Sequence, residues 1–158
     1  MIRQASRADL ERMEQLWLYS VITAHPSVPR HYWQSRLGDF RRRCKVSECS
    51  LVYTAGKHRS ADGFAAVDRD GALTFLCVTP SEAGHGIGSA LMEAVKRSQP
   101  QLEARLLQEN LLGRYFLQQH GFVETERQPN PAAGQAEILM SYSAANDPAP
   151  RGAQAPRM

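Results

Sequence analysis

A chain of 158 residues, 42% hydrophobic and 22% charged, has the composition of an ordinary soluble globular protein and is long enough to bury one sizeable core. Its net charge of +3 is too mild to mark a nucleic-acid binder, and no apolar run approaches the length of a membrane span. The three cysteines, Cys44, Cys49 and Cys77, lack metal-ligand spacing, so no metal site is expected; with no apolar signal stretch after Met1, they lead to the expectation of reduced thiols and a cytoplasmic location.

In chain order, Ile2 to Ala5 reads as a short strand. Ser6 is a good helix N-cap with Asp9 in the first turn, and Leu10, Met13, Trp17 and Val21 recur at helical spacing until His25-Pro26. Trp33, Leu37, Phe40 and Cys44 predict one further helix with a single apolar stripe, and Arg41-Arg42-Arg43 with Lys45 reads as its solvated face. From Ser50 the period changes to that of strands. Leu51 to Ala55 and Phe64 to Val67 flank a polar turn, Asp70-Gly71 signals a hairpin, and Leu73 to Val78 reads as a central strand buried on both faces. A helix marked by Ile87, Leu91, Ala94 and Val95 follows, then a strand from Leu102 to Leu107. Next come a helix from Asn110 to His120 stopped by Gly121, and strands Phe122 to Glu126 and Glu137 to Tyr142. Residues 1–143 read as one α/β (α+β) domain with a mixed central sheet and helices on both faces, and 144–158 as a disordered tail.

The stretch Ala83-Gly84-His85-Gly86-Ile87-Gly88-Ser89 lies between a strand and a helix. Strand, glycine-rich turn and helix together make an anion cradle, because glycine lets the backbone approach closely and the helix N-terminus offers free N–H donors. A Walker A loop would need a lysine after Gly88, where Ser89 stands. A dinucleotide fold would need its third glycine one residue later and more chain than remains.

The pattern Val78-x-Pro80-x-x-Ala83-Gly84-x-Gly86-Ile87-Gly88-x-x-Leu91 resembles the acetyl-CoA signature of the GNAT N-acetyltransferase superfamily. Asn110-x-x-Gly113-x-x-Phe116-x-x-x-His120-Gly121-Phe122 is similar to the second block of that family, and Thr23 to Tyr32 resembles small bacterial members of the YjaB type. The resemblance implies the GNAT fold and an enzyme that passes an acetyl group from acetyl-CoA directly to a primary amine. It also implies cofactor contacts at Leu76, Cys77 and Val78, at Ala83, Gly84, His85, Gly86, Ile87, Gly88 and Ser89, and at Asn110 and Phe116. The family usually has arginine or glutamine where Ala83 stands, and a tyrosine acid where Leu117 stands. Tyr115 lies about 200° around the helix from that position and cannot replace it from the same face.

Amine acetylation needs a base for the amine and some means of releasing a thiolate. His25, Tyr32 and Glu109 are the candidate catalytic groups, with His31 a second histidine of the same segment. The acceptor is expected to be a small-molecule or peptide amine, with neither nucleic acid nor membrane as partner, and the protein a monomer or homodimer. A non-catalytic acyl-CoA-binding or sensor domain is the alternative that Leu117 motivates.

Overall fold

The computed structural model describes residues 1–55 and 60–147; residues 56–59 of the polar turn expected at 56–63, and residues 148–158 of the tail expected at 144–158, lie outside them. Four strands, β1 (Ile2–Gln4), β2 (Cys49–Tyr53), β3 (Gly63–Val67) and β4 (Leu73–Val78), form an antiparallel sheet in sequence order. The hairpin expected at Asp70-Gly71 joins β3 to β4. Gly71 sits at φ +86, and the Asp68 carboxylate accepts from the amides of Asp70 and Ala72. All five residues of β3 are buried, and a Cβ on Gly63 would lie 2.9 Å from Ile87 Cγ2, so a helix packs directly on its backbone.

Three further strands, β5 (Gln101–Leu107), β6 (Val123–Asn130) and β7 (Gln135–Ser143), form a second antiparallel sheet in the order β5-β7-β6. One parallel bridge, Ala72 to Glu103, joins the two sheets, with the Glu103 amide donating to Gly71 O. Beyond it no ladder pairs β4 with β5, and the mixed sheet parts along its middle. This corrects the burial expected of β4. Leu73 and Cys77 are buried, but Thr74, Phe75, Leu76 and Val78 are only half-buried, because the far side of the strand is an open edge.

Helices cover both faces, as expected. On one face α1 (Leu10–Ala24), α2 (Arg30–Gln34) and α3 (Leu37–Lys45) bury Met13, Leu16, Trp17, Trp33 and Phe40 against Val52, Phe64 and Cys77. The Trp17 ring stacks on Phe40 at 4.9 Å and meets Trp33 edge-on at 6.3 Å. On the other face α4 (Ile87–Ser98) and α5 (Leu111–Gln119) bury Ile87, Leu91, Met92, Val95 and Leu117 against Ile138 and Met140.

The single helix expected through Trp33 and Cys44 is broken into α2 and α3. Ser35 Oγ donates to Tyr32 O at 2.7 Å, a local bond that competes with helix continuation, and Arg36 leaves helical geometry at φ −101, ψ 7. Residues 144–147, read from sequence as the start of the tail, turn back onto the fold. Ala144–Asn146 form one 3₁₀ turn, and Asp147 accepts from Tyr142 OH at 3.0 Å with Lys96 Nζ at 3.6 Å. Among the described residues no helix is long and apolar enough to cross a membrane.

Candidate active site

Where β4 leaves β5 a groove of about 500 Å³ opens. It runs from Asn110, Gly113, Phe116 and Leu117 on the α5 side to Trp17, His25, Tyr32 and Trp33 on the α1–α2 side. The opening passes between the strands and so reaches both faces of the molecule. Thr79 N–H donates to Asp62 O at 2.7 Å, which fixes the alternation of β4 against β3. Cys77 therefore turns its peptide groups toward Phe64, whereas Leu76 and Val78 turn theirs to the open edge. Cys77, expected among the cofactor contacts, thus offers the groove no free amide, and burial pushes its thiol up to about 12. A separate cleft of about 550 Å³ near Gly71, Glu103 and Tyr142 shares no lining residue with this groove.

At the end of β4, Pro80–Glu82 make one 3₁₀ turn before the glycine loop. Gly84 and Gly86 both adopt φ +83, where a side chain is strained, and the space a Cβ would occupy is open at each. The turn engages the amides of two expected cofactor contacts: Ala83 N–H donates to Pro80 O and His85 N–H to Glu82 O, each at 3.2 Å. The His85 side chain is exposed beside Glu82. The amides of Gly84, Gly86, Ile87, Gly88 and Ser89 have no backbone acceptor among the described residues, and no side chain caps α4. They form a row of unengaged donors at a helix N-terminus, an arrangement that can bind an anion without a cationic side chain. A Cβ on Gly88 would lie 3.2 Å from the Phe116 ring and 3.7 Å from Leu76, so the loop, α5 and the β4 edge converge there.

Asn110 caps α5, its Oδ1 accepting from Gly113 N at 2.9 Å. Leu117 is buried in the core and also lines the groove, while Tyr115 is exposed. His120 is buried, its ring 4.6 Å from that of Phe116 and its Nε2 3.2 Å from Ser89 Oγ, which ties the glycine loop to the end of α5.

On the other side of the groove His25 is 4% exposed. Its Nδ1–H donates to Val21 O at 2.6 Å, which leaves Nε2 as the ring's lone-pair nitrogen, buried and without a partner among the described residues. Burial pushes the imidazole below its usual range, against the opposing pull of the Val21 carbonyl and the Glu109 carboxylate. The ring lies 4.8 Å from that of Trp33, and Trp33 meets Tyr32 edge-on, also at 4.8 Å. Glu109 accepts from Ser27 N at 3.0 Å, Ser27 Oγ at 2.6 Å and Gln135 Nε2 at 3.1 Å. These bonds hold its carboxyl below the usual carboxylate range.

An acetyltransferase (GNAT) domain model matches residues 47–124. The peptidyl-lysine N-acetyltransferase YiaC of Escherichia coli (strain K12) is 30% identical over 122 residues, 77% of this chain and 82% of that protein. The chain belongs to the GNAT acetyltransferase family. It is accordingly an acetyl-CoA-dependent N-acetyltransferase. The solution structure of apo-form YjaB from Escherichia coli matches its fold with a TM-score of 0.75 at 19% identity, covering 90% of this chain and 96% of that one. The paia N-acetyltransferase from Thermoplasma acidophilum in complex with coenzyme A matches with a TM-score of 0.72 at 17% identity, covering 90% and 98%.

The groove brings His25, Tyr32, Leu76, Val78, Asn110 and Phe116 together, with the glycine loop at its α5 end. His31 is exposed outside it, and Glu109 stands behind the 25–29 loop, bonded to Ser27. Sequence reasoning missed Ser27, Trp33, Arg36 and Gln135. Trp33 was visible as a core residue, and Arg36 carried no local signal that distinguished it from the other arginines.

Proposed function

We propose that the acceptor is the side-chain amine of a lysine held by a peptide, and that the acetyl group passes to it directly between β4 and β5. The observation that carries this reading is the parted strand edge, which joins the glycine loop on one face to an open, half-polar groove on the other. The name of the YiaC relative supports lysine as the acceptor class. The amides of Gly84 and Gly86 to Ser89 would hold the pyrophosphate, and the outward peptide groups of Leu76 and Val78 would pair with the pantetheine arm as an added strand does. Asn110 and Phe116 would flank that arm. Acetyl-CoA supplies an acyl group already activated as a thioester.

His25 Nε2 receives the proton of the amine. Its neutral form persists at pH 7 because burial opposes the imidazolium. Tyr32 is the proton donor for the departing sulfur, in place of the tyrosine that Leu117 replaces; a thiol of ordinary pKa near 8.5 leaves with little assistance. Glu109 positions the loop that carries His25. A cytoplasmic location belongs to the same reading, supported by three cysteines that stand free of disulfides.

The test is an acceptor screen that follows release of free CoA across amino acids, polyamines, antibiotics and lysine peptides, with mass spectrometry of the products. Lysine peptides should each gain one acetyl group on the side chain. Release confined to non-peptide amines would overturn the acceptor assignment.

A further inference from the structure

The charges lining the groove do not cancel. Asp39, Arg43, Arg105 and Glu137 all line it, but each already has an ion partner. Asp39 is held by Arg42 and by Arg43, the latter at 3.1 Å, and Glu137 faces Arg105 at 3.7 Å. Arg36 lines the same groove, half-buried, with neither a carboxylate nor a carbonyl accepting from its side chain among the described residues.

Its position is fixed from both ends. The backbone is held at the α2–α3 junction, where Arg36 N–H donates to Trp33 O and Arg36 O accepts from Phe40 N, both at 3.0 Å. The guanidinium lies over the Tyr32 ring, 4.6 Å from its centroid. A planar fork anchored on an aromatic face loses little freedom when it accepts a bidentate partner, and its donors match the geometry of a carboxylate.

We infer that Arg36 selects acceptors bearing a carboxylate close to the amine that is acetylated. This rests on the amine-acceptor reading above and names the chemistry that the groove favours within it. The carboxylate can come from an acidic residue beside the lysine of a peptide or from the α-carboxylate of a free amino acid, and the side chain recognises the same group in both.

The test uses the full chain with four acceptors: a peptide whose central lysine is flanked by glutamates, the same peptide flanked by glutamines, free lysine, and lysinamide. One charged bidentate contact at a half-exposed site corresponds to about a tenfold preference in kcat/KM. That preference should appear in KM, with kcat alike, and should shrink as ionic strength rises. A preference within the peptide pair assigns the carboxylate to a flanking residue, and one within the free-lysine pair to the α-carboxylate. Arg36→Gln should bring the ratio of the preferred pair to about one, and Arg36→Glu should invert it. Calorimetry with acetyl-CoA and the unfolding temperature serve as controls that both variants are folded; if either variant is not, the salt dependence of the native chain gives the answer. Equal kcat/KM within both pairs in the native chain would overturn the role of Arg36 while leaving amine acetylation standing. Failure to acetylate any of the four would overturn the acceptor reading and this inference together.

Discussion

The Glu109 carboxylate accepts both the amide and the hydroxyl of Ser27, a residue 82 positions earlier in the chain. The bond pair ties the loop after α1 to the end of β5, and Gln135 closes it from the start of β7. His25 sits two residues before Ser27, so the candidate base is held against the groove by a carboxylate on the opposite sheet.

Glu109→Ala should therefore loosen the acceptor side alone. The expected outcome is a severalfold rise in KM for the acceptor with the affinity for acetyl-CoA unchanged, read by steady-state kinetics and calorimetry. The Glu109 carboxyl is held below its unfolded value, so its contribution to stability is complete above that value and is lost as pH falls through the lower folded one. The variant should show a correspondingly weaker dependence of stability on acid. A parallel loss of acetyl-CoA affinity would mean that Glu109 acts on the whole groove.

His25 gives the opposite group with the same sign. Its folded pKa lies below its unfolded value, so the unfolded chain takes up the proton first and stability falls as pH drops through the interval between the two. Thermal unfolding measured from pH 8 to pH 5 should show this loss, and His25→Gln should flatten it. The acetyl-transfer rate should fall with an inflection below the usual histidine range and lose that inflection in the variant. A pH–rate profile that the substitution leaves intact removes His25 as the base.

Two glycines of the loop should fail in different ways. Gly86→Ala places a side chain at φ +83 in open space, so it should cost stability of about 1–2 kcal/mol from backbone strain. Gly88→Ala lies in the first turn of α4 with no such strain but presses on Phe116. It should leave the unfolding temperature nearly unchanged and weaken acetyl-CoA binding roughly tenfold, the worth of about one charged hydrogen bond. Calorimetry and thermal scans on the pair separate the two effects.

Leu117 is buried and borders the groove, so Leu117→Tyr would place a phenol there at the cost of overpacking the core. Overpacking of about 1–3 kcal/mol should lower the unfolding temperature by several degrees. Turnover should nevertheless rise, because the added hydroxyl is a second proton donor for the thiolate. Lower stability with unchanged turnover would show that acid assistance does not limit the rate.

The helices and strands were legible because their apolar periods are local, and the loop because glycine at 84 and 86 answers a backbone need that is itself local. The open edge of β4 was not legible in the strand's own residues, and only the family resemblance implied contacts there. Leu76 and Val78 are apolar whether a strand or a ligand lies beside them, and the parting depends on β5, over twenty residues away. The engaged amides of Ala83 and His85 were hidden for a related reason, since they belong to a 3₁₀ turn set by Pro80 and Glu82 rather than to the glycine pattern. His120 marks the end of its helix in the sequence, but its burial against Phe116 carries no local signal, because only the fold brings Ser89 beside it. The basic run at Arg41 to Lys45 was read correctly as a surface feature, with Arg41 paired to Glu14 and both Arg42 and Arg43 to Asp39.

In the proposed reaction the divergence of β4 from β5 would also govern traffic. Two reactants that meet through a sheet from opposite faces do not share a doorway, so neither has to depart before the other enters. Spent CoA can be exchanged while an acceptor stays seated, and a long polypeptide can remain docked outside while only its amine reaches inward.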